Sequence, residues 1–300
     1  MSIINQIILF IVTNLPKSFI KIFAGRYVAG ESTNEAIKVA KKLNKKGFAV
    51  TLDILGEHVK TKKEAKFITN EYIKLFNLIY KYKIDGNISI KPSHIGLDIS
   101  VFEFERNLST LIESAKRTNN FLRIDMESSL VTEQTIKSTL FYQNIYDKIG
   151  TVLQAYLYRT INDIEKLNEN KLLNIRLCKG IYKESDEIAI QSKNKINENY
   201  LKIVDRVMDQ NGYIGLATHD LNLIESLYKK IENRNYPKDK FEFQVLYGVP
   251  MNGRLEKNLK NKIKTRVYIP FGPDWYDYSI RRLKENPNIV GYILKNLFSR

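Results

Sequence analysis

Residues 48–54, Phe48-Ala-Val-Thr-Leu-Asp-Ile54, form a short run rich in apolar and β-branched residues, and residues 61–83 follow with helical periodicity. This pair predicts a β-strand followed by an amphipathic α-helix. Similar pairs recur along the rest of the chain. The expected strands are 48–54, 87–92, 121–126, 149–155, 173–178, 213–217, 241–246 and 266–270. The expected helices are 61–83, 101–118, 131–146, 160–170, 186–210, 220–234, 252–262 and 274–285.

Eight strands, each followed by a helix, predict an α/β fold of the TIM-type (β/α)8 barrel class, for which about 250 residues is usual. We expect one catalytic domain over 1–300, with an N-terminal helical extension at 1–46, a barrel at 47–300 and a final helix over the barrel mouth. Ser32 to Glu35 has the pattern of a capping box that begins a helix ending near Lys46. A doubly wound open sheet is the alternative architecture, but neither a G-x-G-x-x-G turn nor a P-loop occurs in the sequence.

The chain is basic, with 48 Lys and Arg against 33 Asp and Glu and a net charge of +15. This charge favours a polyanion, such as lipid head groups or a phosphate-bearing cofactor. Many lysines lie in predicted helices without an accompanying aromatic ladder, so we do not expect nucleic-acid binding. Residues 1–12 are apolar but too few to cross a bilayer. An amphipathic helix that covers the barrel and one that docks on a membrane surface both remain open.

The residues that commonly form metal sites and nucleophile sites are sparse. His58, His94 and His219 fit no metalloprotease or zinc-finger spacing, and no G-x-S-x-G motif is present, so no metal site is expected. The single cysteine, Cys178, excludes an internal disulfide, which suits a cytoplasmic protein, and we expect it to be an inert core residue.

Polar side chains interrupt the predicted strands near their C-terminal ends. Such residues are costly to bury in a barrel unless they face the active-site mouth. Each one alone fits a snorkelling lysine or a paired core group, but their recurrence on six consecutive strands predicts a cavity for an anionic substrate and a phosphate-bearing cofactor. The residues concerned are Lys91, Asp125, Gln154, Arg176, Lys179, His219 and Gln244.

The final predicted helix carries a second cationic feature. Helical spacing puts Tyr278, Arg281 and Glu285 on one face, with Arg282 adjacent. Two neighbouring arginines are suited to a carboxylate. A solvated basic helix end is the ordinary alternative.

Ten segments in order resemble those of proline dehydrogenases, a family that includes single-function bacterial enzymes and the first catalytic domain of bifunctional proline-catabolic proteins. They cover the chain from about residue 26 to the end. The segments are Arg26-Tyr-Val-Ala-Gly-Glu-Ser32, Asp53-Ile-Leu-Gly-Glu57, Ser89-Ile-Lys91, Ile124-Asp-Met-Glu127, Gln154-Ala-Tyr156, Arg176-Leu-Cys-Lys-Gly-Ile-Tyr182, Ala217-Thr-His219, Phe243-Gln-Val-Leu-Tyr-Gly248, Val267-Tyr-Ile-Pro-Phe-Gly272 and Tyr278-Ser-Ile-Arg-Arg-Leu-Lys-Glu285.

The resemblance implies non-covalent FAD at the barrel mouth and oxidation of L-proline to 1-pyrroline-5-carboxylate, with hydride transfer to flavin N5. It also implies a quinone-type electron acceptor, and hence a cytoplasmic enzyme that associates peripherally with the inner face of the cell membrane. By the same resemblance, Lys91, Arg281 and Arg282 bind the proline carboxylate, and Glu285 orients the arginines.

The resemblance also assigns the other residues of the cavity. It places Arg176 near flavin N5, Gln154 at the polar edge of the ring, Lys179 and His219 at the phosphate-bearing tail, and Asp125 on the amine side of the substrate. The implied pocket walls are Tyr182, Leu246, Tyr268 and Tyr278. The remaining cofactor contacts that we expect are Gly180, Ile181, Thr218 and Gln244, and the expected catalytic residues are Lys91, Asp125, Arg176, Tyr268 and Tyr278.

Two residues depart from the family pattern. Ile181 stands where alanine is usual, which predicts a narrower site, and Pro92 stands where leucine is usual, which predicts a shift of the Lys91 backbone. Two other classes of function stay open. A Schiff-base aldolase would use Lys91 or Lys179 as its amine nucleophile, and a binding barrel would keep the pocket without catalysing a redox reaction.

Overall fold

The computed structural model describes residues 20–21 and 24–285, with only the backbone of 283–285. Its strands coincide with the predicted ones to within two residues at most ends. They are β1 (Ala49–Ile54), β2 (Gly86–Ile90), β3 (Leu122–Ile124), β4 (Ile149–Gln154), β5 (Asn174–Cys178), β6 (Tyr213–Ala217), β7 (Phe241–Leu246) and β8 (Thr265–Phe271).

The α-helices alternate with the strands, as the periodicity predicts. They are α1 (Thr33–Lys45), α2 (Lys62–Lys81), α3 (Val101–Arg117), α4 (Ser129–Gln143), α5 (Thr160–Leu167), α6 (Lys193–Asp209), α7 (Leu221–Asn233), α8 (Arg254–Lys260) and α9 (Trp275–Glu285). A short 3-10 helix, Pro92–Ile95, follows β2.

The strands close into one parallel barrel in sequence order, and β1 pairs with both β2 and β8. Because all strands run in one direction, their C-terminal ends meet at one mouth of the barrel. The helices cover the outside and bury their apolar faces. In α2, for example, Tyr72, Leu75, Phe76 and Ile79 recur at helical spacing and are almost fully buried. The predicted (β/α)8 barrel is confirmed.

Local capping fixes where helices begin. The Ser32 hydroxyl accepts a hydrogen bond from the backbone N–H of Glu35, whose carboxylate accepts the Ser32 N–H, as a capping box requires. Thr61 and Glu64 form the same box at the start of α2. The capping box predicted from the sequence is therefore confirmed. The predicted apolar segment 1–12 lies outside the described residues.

The segment before α6 differs from the prediction. We expected a helix from residue 186, but α6 begins at Lys193. Ala189 instead forms an isolated antiparallel bridge with Leu157, and the backbone N–H of Tyr158 donates to the carbonyl of Ile188. Residues 186–188 form a turn in which the N–H groups of Ile188 and Ala189 donate to the Ser185 carbonyl, and pairing with the loop after β4 holds Ala189, so the helix begins only after this segment.

The barrel interior is more polar than a continuous apolar strand pattern predicts. Below the mouth, Arg123, Glu242 and Arg266 are almost fully buried. Arg123 donates to the carbonyls of Thr151 and Asn174, each at 2.9 Å. The polar positions alternate along the strands, so that each lies on the inward face. The charged network consequently reaches well below the strand ends.

Candidate active site

A cavity of about 660 Å³ opens at the C-terminal ends of the strands, a volume typical of small-molecule sites. All the site residues predicted from the sequence line it, except Glu285, whose side chain lies outside the described residues. The predicted residues in its wall are Lys91, Asp125, Gln154, Arg176, Lys179, Gly180, Ile181, Tyr182, Thr218, His219, Gln244, Leu246, Tyr268, Tyr278, Arg281 and Arg282.

Asp125, at the end of β3, is the centre of a buried network on the cavity floor. Its carboxylate accepts hydrogen bonds from Arg176 Nη1 at 2.8 Å and from the Tyr268 hydroxyl at 3.1 Å. The Ser89 hydroxyl also donates to Asp125. The Arg176 guanidinium lies 5.0 Å from the centroid of the Tyr268 ring. This network fixes a permanent positive charge at the bottom of the cavity, because a guanidinium keeps its proton.

Lys91 follows β2 and is paired with Asp53, a residue of β1. Its Nζ lies 2.7 Å from the Asp53 carboxylate. Burial alone would lower the pKa of Lys91, but the charges of Asp53 and Asp125 raise it above the usual value. A Schiff-base lysine needs the opposite shift, toward a neutral amine. The aldolase alternative is therefore disfavoured at Lys91, and Lys179 is itself ion-paired with Asp220 at 2.6 Å.

Helix α9 brings a second group of cations to the mouth. Arg281 pairs with Glu57 of the loop after β1, with 3.1 Å between Nη2 and the carboxylate. The Arg282 guanidinium lies 5.3 Å from the centroid of the Tyr278 ring. The two arginines of α9 therefore line the same cavity as Lys91, which follows β2.

The wall formed by β4 to β7 is held by its own hydrogen bonds. Gln154 Nε2 donates to the carbonyl of Glu127 at 3.0 Å. His219 Nε2 accepts the backbone N–H of Leu246 at 3.0 Å, which requires that this nitrogen carry no proton. Burial, reinforced by the charge of Arg282, lowers the pKa of His219 to about 4. His219 is therefore a neutral residue at physiological pH.

The turn after β5 depends on glycine. Gly180 has a φ of +113°, and a Cβ at this position would lie 2.2 Å from the Tyr156 ring. Ile181 next to it is 62% exposed, so its side chain extends largely into solvent. Because Ile181 also lines the cavity, its effect on the width of the site stays a prediction.

Pro92 lies in a helical turn that accommodates proline, and Cys178 lies at the wall of the cavity. Pro92 occupies the first turn of the 3-10 helix, where its missing N–H costs nothing, and Lys91 still reaches Asp53. Cys178 is partly buried and packs against the barrel core, as expected, but it also lines the cavity. Burial raises the pKa of the Cys178 thiol to about 11, which leaves it protonated and weakly nucleophilic.

Some cavity residues were not selected from the sequence as site residues. They include three acidic partners of the predicted cations, Asp53, Glu57 and Asp220. Asp53 and Glu57 lie in a segment that carried the family resemblance, but their roles follow from pairings across the barrel. The available signal was polar alternation along a strand, since Thr51 and Asp53 both occupy inward positions on β1.

A closed parallel barrel with cations and carboxylates around its C-terminal mouth defines a barrel enzyme suited to an anionic small molecule. The family model described as "Proline dehydrogenase" matches residues 36–293. "Proline dehydrogenase 2" of Bacillus subtilis (strain 168) is 34% identical over 279 residues, which cover 92% of this chain and 91% of the relative. "Proline dehydrogenase" of Deinococcus radiodurans is 32% identical over 284 residues, covering 91% and 89%.

The fold also matches solved structures. Proline utilization A (PutA) from Bdellovibrio bacteriovorus aligns with a TM-score of 0.80 at 24% identity, over 88% of this chain and 32% of that one. The chain therefore belongs to the proline dehydrogenase family. It is an oxidoreductase with proline dehydrogenase activity, which catalyses the first step of proline catabolism.

Proline dehydrogenases are flavin-dependent, and the cavity has donors that fit a flavin. Arg176 is 5% exposed, and its Nη2 has no hydrogen-bond partner among the described residues. A buried donor without a partner is costly, so a polar ligand group in the cavity would satisfy it. Lys179 lies at the same mouth and can bind phosphate oxygens.

Proposed function

We propose that the protein oxidises L-proline to 1-pyrroline-5-carboxylate with non-covalently bound FAD as the hydride acceptor. The observation that carries the proposal is that Lys91 of β2 and Arg281 and Arg282 of α9 line one cavity together with the buried Arg176. Such a cavity offers separate cationic groups to a carboxylate and to a cofactor. We propose, too, that residues 1–300 act as one catalytic domain, with 1–46 as the extension.

The substrate carboxylate binds between Lys91 and the two arginines. Charge-assisted hydrogen bonds from guanidinium groups suit a carboxylate, and the ammonium of Lys91 adds a third charge. Glu57 pairs with Arg281 in the described structure, so the substrate carboxylate competes with Glu57 for that guanidinium. Glu285 completes this group by orienting the arginines.

The rest of the mouth would hold FAD, with Arg176 toward the flavin N5 region and Gln154 toward the polar edge of the ring. When bound, FAD accepts the hydride that leaves the proline ring carbon beside the nitrogen. Lys179 and His219 contact the phosphate-bearing tail. The other residues in contact with the cofactor are Asp125, Gly180, Ile181, Tyr182, Thr218 and Gln244, all of which line the cavity.

The remaining residues hold proline and exclude water. Tyr268 and Tyr278 wall the cavity with Leu246 and Tyr182, while Asp125 lies on the amine side and holds Arg176 and Tyr268 in place. The amine of proline must be neutral for its lone pair to assist hydride departure. Activity therefore rises with pH until the bound amine is fully deprotonated.

Electrons leave the reduced enzyme to a quinone-type acceptor at the membrane. None of the helices in the described part of the chain is long and apolar enough to span a bilayer. We propose that membrane contact is peripheral, at the inner face of the cell membrane. The net charge of +15 supports attraction to anionic head groups, whereas the exposed lysines at the N-terminal end of the barrel lie opposite the mouth that would hold the flavin. These lysines include Lys42, Lys45, Lys46, Lys81, Lys83, Lys260, Lys262 and Lys264.

The decisive experiment uses the flavin spectrum. Purified protein should be yellow, and anaerobic addition of L-proline should bleach the flavin while 1-pyrroline-5-carboxylate forms. A soluble quinone analogue should then restore the oxidised spectrum. Purified protein that binds FAD but is not reduced by proline would overturn the proposed reaction, and a quinone that fails to reoxidise the flavin would overturn the proposed acceptor.

A further inference from the structure

A chain of hydrogen bonds runs from the cavity floor into the barrel. Arg176 Nε donates to Gln244 Oε1 at 2.6 Å, and Gln244 Nε2 donates to Glu242 Oε1 at 2.6 Å. The same Glu242 oxygen accepts Arg266 Nε at 2.6 Å. We infer that Glu242 is a positioning residue that fixes the amide of Gln244 and, through it, the Arg176 guanidinium. The part of this inference that concerns the flavin rests on the proposed function.

The argument depends on the two ends of an amide. Gln244 can present either its oxygen or its NH2 group to Arg176, whose Nε–H can only donate. An ionised carboxylate can only accept, so Glu242 binds the NH2 end. The oxygen is thereby directed at Arg176. The reversed amide would put two acceptors against each other at Glu242 and two donors against each other at Arg176, and without an acceptor at position 242 the first of these two penalties is lost, so the amide is held less firmly.

The neighbourhood keeps Glu242 ionised. Burial alone would raise the pKa of Glu242, but the charges of Arg266 and Lys264 lower it to about 2. Lys264 lies 3.6 Å from the second carboxylate oxygen. Glu242 is thus an ionised acceptor at physiological pH.

A separate observation shows that space is reserved for the Gln244 amide. Gly215 on β6 pairs in register with Glu242, and a Cβ at Gly215 would lie 2.4 Å from Gln244 Nε2. Such a contact is shorter than real Cβ contacts, so the amide would have to move. Glycine at this position therefore leaves the room that the observed amide orientation occupies.

The consequence for Arg176 concerns its free donor. Asp125 and Ser89 hold Nη1, and Gln244 holds Nε, which leaves Nη2 without a partner among the described residues. Because the guanidinium is planar, fixing Nε and Nη1 also fixes the direction of Nη2. Glu242 therefore helps to direct the proposed contact between Arg176 Nη2 and the flavin, although Glu242 does not itself line the cavity.

The first test uses the 15N-labelled apoprotein and needs no cofactor. The double variant Glu242→Met, Arg266→Met removes the acceptor and keeps the net charge unchanged, and replacing a buried ion pair by apolar residues is often tolerated. Solvent exchange of the Arg176 Nε–H, assigned by its loss in Arg176→Lys, should accelerate at least tenfold. The matched control removes a partly buried pair at the start of α5, Arg159→Met, Asp163→Met, and should leave this exchange unchanged.

Gly215→Ala provides a second route, because it displaces the Gln244 amide without altering the ion pair. It should also accelerate exchange of the Arg176 Nε–H, and it keeps the test decisive if the double variant does not fold. Unchanged exchange in Gly215→Ala, or in a folded double variant, would overturn the positioning role. If the wild-type protein does not bind FAD, the proposed function is overturned, but the positioning role of Glu242 is not.

The second test measures FAD dissociation constants in a cycle. The Glu242→Met, Arg266→Met change should weaken FAD binding about tenfold or more, as expected for a misplaced charge-assisted contact. In a Gln244→Met background the same change should have no further effect, because the connecting amide is already gone. An equal loss in both backgrounds would show that Glu242 acts through the fold instead of through Gln244.

Discussion

The ammonium of Lys91 lies 2.7 Å from the carboxylate of Asp53, whose side chain is 2% exposed. The two residues come from neighbouring strands, and the pairing holds Lys91 at the cavity wall with a raised pKa. The positive charge of Lys91, which we assign to binding of the substrate carboxylate, therefore depends on Asp53, an acidic residue that we do not assign to substrate binding.

Replacing Asp53 with asparagine should change the pH dependence of proline binding. Without the Asp53 charge, burial lowers the pKa of Lys91, so the ammonium is lost on the alkaline side at a lower pH than in the wild type. Proline affinity should then fall by about tenfold for each pH unit above the new pKa. The measurement is anaerobic flavin reduction titrated with proline from pH 7 to 10. Asp98→Asn, at the rim beside His58, is the control; superimposable profiles for Asp53→Asn and wild type would refute the dependence.

Arg281→Met should weaken proline binding by roughly 1.5–3 kcal/mol, on the order of tenfold to more than a hundredfold, through loss of a charge-assisted contact. Arg282→Met should behave similarly. FAD should remain bound, because both residues are assigned to the substrate. Prolinamide lacks the carboxylate charge and should bind wild type and variants almost equally. Equal proline affinity in wild type and Arg281→Met would remove Arg281 from the site.

Arg176→Ala should lower FAD occupancy or change the reduction potential of the bound flavin. The physical reason is that the variant removes the buried Nη2 donor and the permanent charge on the cavity floor. Occupancy is measured from the flavin-to-protein absorbance ratio and the potential by spectroscopic titration. Arg159→Ala, outside the cavity wall, should change neither quantity. Full occupancy with an unaltered potential in Arg176→Ala would contradict our assignment.

His219 should make folding stability depend on pH. Its pKa in the folded state, about 4, lies below the value of about 6.5 for the unfolded chain. The unfolded state therefore binds the proton more readily between these values, and stability falls as pH falls through this window. His219→Gln should reduce the change in the free energy of urea unfolding between pH 4 and pH 6.5. The reduction should be roughly 1–3 kcal/mol, allowing for partial solvent exposure. An unchanged slope would show that His219 does not contribute.

Vesicle binding should reveal whether the basic end of the barrel attracts lipid. Binding to anionic vesicles should weaken as salt is raised, because exposed charges are screened over about 10 Å at 0.1 M salt. Replacing Lys45, Lys46 and Lys83 with glutamate should weaken binding further. Leu130→Ser, at the exposed start of α4 on the opposite end, serves as the control. If no binding occurs even at low salt, ordinary solubilisation explains these lysines.

Most of the barrel could be predicted because its signals are local. The strand at 213–217 and the capping box at Ser32 depend on residues close in sequence, and both occur where expected. The helix predicted over 186–210 starts too early, because residues 186–188 form a turn and Ala189 pairs with Leu157, more than 30 residues earlier. Periodicity carries no information about a partner of that kind.

The sequence alone determined the order of strands and helices and the residue types at the strand ends, and its motifs indicated the family. These properties follow from side-chain periodicity and from the inward direction of alternate strand residues. Only the tertiary structure decided which charges meet. Asp125 binds Arg176 and Tyr268, which lie 51 and 143 residues away, because closing the barrel brings β3, β5 and β8 to one mouth. Buried charges require partners, and barrel closure determines which partners are within reach.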